Sequence, residues 1–486
     1  MKKDKLTTLI LTLLVTSSIV LTSQIWFQKK LWSNDYNFFV TFENSQIWQT
    51  LHRMFKNPLS DQDTQAMHRN AALPQTLVVN FGAIRTQYNT GSVPYNELME
   101  ELKQAITTWL KSDQGVRSTK IDDIAEWKKA LKSQSLYVDF RFPYPIKTFG
   151  AFFGVQDTPV DTALKDMQAL IVVLGDTATN DIVIYVKDAT DQSIHKFLVR
   201  YDRTKLLSLM EKNNDSTLTG YKFSFELNFD EKRLNNVVLQ SNILIPFNAV
   251  EVKPLRMSEL NKRPSEMDAL LRHFGHNPSN PRRFTETDNS EVYVENYSTF
   301  KISTHGEIDY DTIAQGKGVH LNSKEHTTTG VQTAYQAYNM AIDFIEKFQP
   351  EGQRLMLSNM VENFEKPGTH LFTFDYLFDG LPVKLKDANG NAKDAIKIVI
   401  SNNSLTSYSQ VFKKLEGSTP TKIETPIPRV MDKLITAVAN ANKEVTVEQF
   451  KLCYEDTDSL DFHLPQWHVA VKGVGVQMYE PTIYKK

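Results

Sequence analysis

Apolar and polar positions divide the chain near its start. Residues 6–28 form a run of 23 positions without a charge. As a helix rising 1.5 Å per residue, that run is about 35 Å long, enough for a hydrocarbon core of about 30 Å with some tilt. Lys2, Lys3 and Lys5 precede it, Trp26 and Phe27 fall where an outer aromatic belt belongs, and Lys29-Lys30 follow. The inner lysines favour a cytoplasmic N-terminus, with the remaining chain outside; the outer pair weakens that bias without reversing it. A cleaved signal peptide is the alternative. Its small-x-small site, Thr16-Ser17-Ser18, lies inside the apolar run, and Leu21-Thr22-Ser23 begins with a large residue, so an uncleaved anchor is expected. Thr8, Thr12 and Thr16 recur every fourth residue and share one helix face, which Ser23 continues loosely. Such a stripe admits a partner helix at close range in lipid. Equally, each hydroxyl can bond back to a carbonyl of its own helix.

Beyond the anchor, helical and strand periods alternate. Residues 95–112 read as a helix, with Leu98, Leu102, Ile106 and Trp109 spaced by four, four and three. A second helix is expected at 121–132 and a third at 204–213. Strand patterns fall at 77–81, 136–142, 169–174, 181–187, 195–201, 221–228 and 243–247. Pro254 and Pro264 flank a polar stretch that reads as a boundary. A helix at 265–274 then ends at Gly275 and the turn-rich His276-Asn277-Pro278-Ser279-Asn280-Pro281. Strands are expected at 283–285, 291–295, 299–304 and 307–310. The Gly-, His- and Thr-rich stretch 314–329 reads as a linker or exposed loop. Val331, Ala334, Tyr338, Ala341, Ile345 and Phe348 then carry a helical spacing. Strands at 371–378, 383–385 and 396–401, a helix at 429–441, and strands at 445–454 and 466–471 complete the pattern. Helix followed by antiparallel strands thus recurs after residue 253, as a repeat of architecture without an alignable sequence repeat.

The expected fold class is α+β: a single N-terminal transmembrane helix, then a multidomain extracytoplasmic region of mostly antiparallel sheets with packed helices. The expected divisions are a cytoplasmic tail at 1–5, the transmembrane anchor at 6–28, an N-terminal extracytoplasmic α+β domain at 29–252, a middle helix-plus-meander domain at 253–328 and a C-terminal α+β domain at 329–486. The length of 486 residues agrees with about three domains at roughly 150 residues each.

Composition narrows the function classes. Hydrophobic residues are 41% and charged residues 23%, the balance of a globular protein rather than a disordered one. Lys+Arg is 55 and Asp+Glu is 57, a net charge of −2. A dedicated nucleic-acid binder would need a net basic face, so none is expected. The one cysteine, Cys453, rules out an internal disulfide, a cysteine-based zinc site and a CxxC redox pair. It sits between Leu452 and Tyr454 in a strand pattern and reads as core. With no cysteine near the N-terminus to acylate, a lipoprotein is not expected.

Catalytic signatures are weak. GxSxG, HExxH, a phosphate-binding Walker loop and GxGxxG do not occur. SxxK occurs at Ser193–Lys196 and Ser298–Lys301, both in strand-like sequence and without the companion motifs of a serine acyl-enzyme. Asp387-Ala388-Asn389-Gly390-Asn391 resembles the start of a calcium loop, but Ala392 and Ile398 stand where glycine and a bidentate glutamate belong. A hairpin turn fits better. His273 and His276 lie around a helix end with no apparent third ligand. The acidic run Glu455-Asp456-Thr457-Asp458 with Asp461 reads as a solvated loop ahead of a cation site. No catalytic, metal or cofactor residues are therefore assigned.

The layout resembles the YycH family of membrane-anchored regulators. The shared features are the short basic tail, the helix beginning Leu6-Thr7-Thr8-Leu9-Ile10-Leu11, and about 450 residues of extracytoplasmic α+β structure. The most specific stretch, residues 269–310, runs from Ala269-Leu270-Leu271-Arg272-His273-Phe274-Gly275-His276-Asn277-Pro278, through Glu291-Val292-Tyr293-Val294, to Phe300-Lys301-Ile302-Ser303-Thr304-His305-Gly306-Glu307-Ile308-Asp309-Tyr310. The resemblance implies regulation without catalysis and without cofactors. It implies a YycI-like partner bound through the outer domains, and contact with the transmembrane helices of a WalK (YycG)-like sensor histidine kinase that controls cell-wall metabolism. It also leaves room for a homo- or heterodimer. A competing expectation is an extracytoplasmic protein or enzyme acting on wall polymers; a third is a membrane-tethered chaperone or protease inhibitor.

Overall fold

The computed structural model describes residues 72–483, apart from 83, 113–117, 122, 175–180, 215–219, 228–236, 260–263, 280–281, 296, 314–316, 322–331, 350–352, 388–390, 425–429, 433–435, 437–444, 458, 473–474 and 480–481. The chain divides into two compact units, Met1–Ala66 and Met67–Lys486. The first lies outside the described residues, and with it the segment 6–28, its lysines Lys2, Lys3 and Lys5, the Thr8, Thr12, Thr16 and Ser23 face, and Trp26. Among the described residues, no helix is long and apolar enough to cross a membrane. The second unit is α+β and rich in sheet.

Its first lobe holds β1 (Thr76–Phe81), β2 (Ile84–Asn89), α1 (Val93–Lys111), β3 (Thr119–Ile121), α2 (Ile124–Lys132), β4 (Ser135–Pro145), α3 (Ile146–Phe152), β5 (Asp166–Val173), β6 (Ile182–Asp188), β7 (Ile194–Val199) and α4 (Thr204–Lys212). The seven strands form one antiparallel sheet in the order β2-β1-β4-β5-β6-β7-β3. Its strands carry apolar residues at successive positions, so both faces need cover, because alternate side chains point to opposite faces. Leu77, Val79, Leu136, Val138, Leu170 and Val172 join Leu98, Leu102, Ile106 and Trp109 of α1 in one core. Val78, Tyr137, Ala169 and Ile171 join Trp127, Ala130 and Leu131 of α2 in another.

Local chemistry sets the helix starts. Ser92 caps α1, accepting from the Tyr95 amide, and a proline stands in the first turn. The helix expected at 121–132 begins later, at Ile124, behind the Asp123 cap, whose carboxylate accepts from the Ala125 amide at 2.7 Å. Ile121 instead belongs to β3 and pairs with Ile194 of β7. The strand expected at 221–228 also stops early. It ends at Phe223 as β8 (Tyr221–Phe223) and passes into a 3-10 turn, Ser224–Glu226. Glu226 accepts from the Phe223 amide at 3.0 Å and pairs with the buried Arg85 at 2.7 Å.

Short strands β9 (Val237–Leu239), β10 (Leu244–Pro246), β11 (Val250–Val252) and β12 (Leu255–Glu259) lead to α5 (Pro264–His273). Gly275, at φ 77°, closes α5: its amide donates to Arg272 O at 3.0 Å and that of His276 to Leu271 O at 2.8 Å. This crossed pair satisfies carbonyls that the helix end would leave open. The meander β13 (Arg282–Thr285), β14 (Glu291–Glu295), β15 (Ser298–Ile302) and β16 (Glu307–Thr312) follows, then β17 (Val319–His320). Next, α6 (Ala334–Ile345) starts at a reciprocal cap between Thr333 and Gln336. The remaining strands are β18 (Arg354–Val361), β19 (Thr369–Phe378), β20 (Leu381–Lys386), β21 (Ala392–Lys393), β22 (Ile396–Ser401), β23 (Ser404–Val411), β24 (Lys413–Gly417), β25 (Thr421–Glu424), β26 (Val445–Glu455), β27 (Gln466–Val471), β28 (Gly475–Tyr479) and β29 (Thr482–Ile483). The helix expected at 429–441 falls mostly outside the described residues.

One 15-stranded sheet runs β13-β14-β15-β16-β23-β22-β19-β20-β26-β27-β28, with β9, β17, β18 and β21 beside this path. Its pairings are antiparallel except β20 with β26 and β9 with β26. β16 pairs with β23, so strands from 282–312 and from 354–479 share this sheet. Phe274 of the α5 end meets Phe344 at 5.2 Å, Tyr408 at 5.3 Å and Phe300 at 4.9 Å between ring centres.

Candidate functional site

Strand β4 meets the second lobe, the part of the unit built on the 15-stranded sheet. Tyr137, Asp139 and Arg141 alternate with Val138, Phe140 and Phe142, which are buried in the first core, so the polar residues share the other face. β4 leaves register with β5 between Asp139 and Tyr144, and there Arg141 reaches the second lobe. Its guanidinium donates to Asp375 Oδ2 at 2.7 Å, and Lys384 Nζ donates to the same oxygen at 2.7 Å. Asp375 is 1% exposed. A carboxylate that far from water costs several kcal/mol unless it is paired. Here one cation comes from each lobe. Elsewhere between the lobes, Thr148 bonds Glu362, and Phe152 packs against Tyr335 and Tyr338 at 5.5 and 4.9 Å.

The polar layer continues onto β26 and β27, where Lys451 and His468 are cross-strand partners. Burial, reinforced by Lys384, holds the His468 imidazole down to about 4. At neutral pH it is therefore an uncharged ring beside charges of both signs, Lys384 and Arg141 on one hand and Glu455 and Asp375 on the other. Burial pushes the Cys453 thiol up to about 12. It is a core thiol, as its strand position suggested, and thiols of that kind are inert. Burial lowers Lys451 and raises Asp139, and the attraction between the two opposes both shifts. Beside these groups a cavity of about 110 Å³ opens between β4, the β9–β10 connection and β26.

The other residues singled out in the sequence fall elsewhere. His276 is buried against Ser298 Oγ at 3.2 Å, and His195 lies 3.0 Å from Ser193 Oγ. In each imidazole the buried Nδ1 has no hydrogen-bond partner. No carboxylate orients either ring, so neither contact has the third group that activates a serine. His273 stacks on Phe344 at 4.1 Å, and burial holds it down to about 4. Both histidines thus finish the end of α5 within the aromatic core. Residues 388–390 of the Asp387–Asn391 stretch lie outside the described residues; on either side of it β20 and β21 pair antiparallel, Lys386 opposite Ala392, and the Asn391 amide donates to Asp387 Oδ1 at 2.8 Å. Glu455 pairs with Lys386 at 2.7 Å and Asp456 with Lys413 at 3.3 Å, so part of the acidic run is neutralised by lysines of the sheet and not simply solvated. Among the described residues, no three His, Cys, Asp or Glu side chains gather as a metal site.

Sequence reasoning missed Asp139, Arg141, Asp375, Lys384 and Lys451 as a group. The available signal was a lone charge inside an apolar strand run, as in Phe372-Thr373-Phe374-Asp375-Tyr376-Leu377-Phe378. Such a charge requires a partner, but the pattern does not name it.

No protein-family model and no curated protein matches the sequence. Among solved structures, the crystal structure of YycH from Bacillus subtilis is similar. Its TM-score is 0.55 at 15% identity, covering 85% of this chain and 96% of that chain. The C-terminal domain of YpeB from Bacillus megaterium aligns over 47% of this chain and 100% of that domain at 12% identity. Its TM-score of 0.22 carries no structural argument. The chain has a YycH-like fold.

Proposed function

We propose that this chain is a membrane-anchored regulator, without catalysis of its own, of a sensor histidine kinase that controls cell-wall metabolism, and that it acts beside a YycI-like protein. The observation that carries this reading is the YycH-like fold across 85% of the chain. Residues 6–28 then form the single membrane span, with Lys2, Lys3 and Lys5 on the cytoplasmic side and Trp26 at the outer interface. Thr8, Thr12, Thr16 and Ser23 form the face that packs against the kinase's transmembrane helices. A helix that packs better against one of two signalling states shifts their populations. A packing difference of about 1–3 kcal/mol corresponds to a shift of about 5- to 150-fold. The Arg141–Asp375–Lys384 cluster, centred on the buried Asp375, supports transmission from the outer lobes, because a paired charge between them resists their separation.

Membrane cross-linking and pull-down test this reading, with the native chain beside a copy whose residues 6–28 are replaced by an unrelated transmembrane helix. The expected result is a histidine kinase recovered with the native anchor and lost with the replacement. Recovery with both would move the contact to the outer lobes. Recovery with neither would overturn the regulatory reading in favour of a protein acting on wall polymers.

A further inference from the structure

The cavity beside β26 combines small size with opposite charges. Its volume of about 110 Å³ is well below the roughly 300–1,000 Å³ of drug-sized ligand pockets, so it suits a small ligand. It is nevertheless large enough for several water molecules. Asp139 of β4 and Lys451 of β26 both line it. Among the described residues these two attract each other without forming a direct ion pair. Both are half-buried, and burial disfavours the charged form of each, a cost that a direct contact would offset. With both charges on the lining of one cavity and no direct ion pair between them, there is room for a third body with a positive end and a negative end.

The remaining charges of the wall favour entry of the positive end. Glu448 and Glu251 line the cavity, whereas the lining Asp379 is neutralised by Lys253 at 2.8 Å. Lys187, outside the lining, is attracted to Asp139 and Glu448. Asn242 also lines the wall, and its amide donates to the Tyr137 hydroxyl at 3.0 Å, which fixes that ring beside Asp139. Trp467, 3% exposed, adds apolar wall. The wall therefore offers one cation and an excess of carboxylates.

We propose that this cavity binds a small zwitterion of the free α-amino acid class, with its ammonium toward Asp139 and its carboxylate toward Lys451. The inference does not depend on the regulatory reading and fails or stands separately from it. Isothermal titration calorimetry of the full-length protein in detergent micelles tests it with glycine, L-alanine and D-alanine, and with acetate and ethylamine as single-charge controls. At least one amino acid is expected to bind at least tenfold more tightly than acetate or ethylamine. Asp139→Asn and Lys451→Met are each expected to weaken that binding at least tenfold while the circular dichroism spectrum stays unchanged. If a variant fails to fold, the wild-type series decides alone. No heat with any amino acid would mean the cavity holds water only and would overturn the proposal. Binding of acetate or ethylamine as tight as that of the amino acids would overturn it too.

Discussion

Asp375 sits with a guanidinium from β4 and an ammonium from β20 on one of its oxygens. Replacing it by alanine leaves two cations facing each other at the junction. Removing one partner of a fully buried ionic group costs about 3–5 kcal/mol, but the two cations left behind are 15% and 28% exposed, so water screens part of that cost. Asp375→Ala is therefore expected to lower the unfolding free energy by about 2–3 kcal/mol in urea titration, and a loss under about 1 kcal/mol would contradict the assigned pairing. His273 and His468 give a pH signature. Both are held down to about 4 from an ordinary 6.5, chiefly by burial. Between those values the unfolded chain takes up protons that the folded chain refuses, so stability falls as pH drops from about 6.5 towards 4. Melting temperatures of a His273→Phe/His468→Phe double variant are expected to fall less steeply over that window than those of the native protein. Parallel slopes would show that other groups dominate. None of these side chains announced its role in the sequence. Arg141 and Asp375 stand 234 positions apart, and only the assembled sheets bring them together.

Elements were legible where local rules sufficed. Helix α1 has a serine cap, a proline in its first turn, and Leu98, Leu102, Ile106 and Trp109 all 0% exposed. Leu102→Ala is expected to cost about 2–5 kcal/mol through lost burial and a residual cavity. Ser92→Ala should cost about 1 kcal/mol. Chemical denaturation measures both, and equal losses would contradict the assigned packing. α5, its Gly275 stop and the β13–β16 meander were readable for the same reason. Other elements needed tertiary context. α3 follows Pro145, has no side-chain cap and holds together through Phe149 and Phe152 in the aromatic core. β23 reads as Ser404-Leu405-Thr406-Ser407-Tyr408-Ser409-Gln410-Val411, too hydroxyl-rich to look buried. Yet Gln410 is 0% exposed, bonding Gln349 at 2.9 Å and the Tyr376 and Tyr408 hydroxyls at 3.1 and 2.7 Å. A satisfied polar network there replaces the apolar signal.

At the scale of the molecule, α+β composition and the order of most strands could be read from the chain. The sheet order β16-β23-β22-β19-β20-β26 could not, because its pairings join distant segments. The polar layer between the lobes is a consequence of that order, and so is the cavity at its rim. The YycH-like fold and the expected span at 6–28 together make the central claim a matter of coupling to a kinase in a shared membrane. Co-reconstitution of the full-length protein with the sensor histidine kinase in proteoliposomes, read by autophosphorylation, measures that coupling most directly. A change in the kinase's phosphorylation rate of about fivefold or more, in either direction, is the expected result. An unchanged rate at saturating protein, with a YycI-like protein also present, would contradict the account.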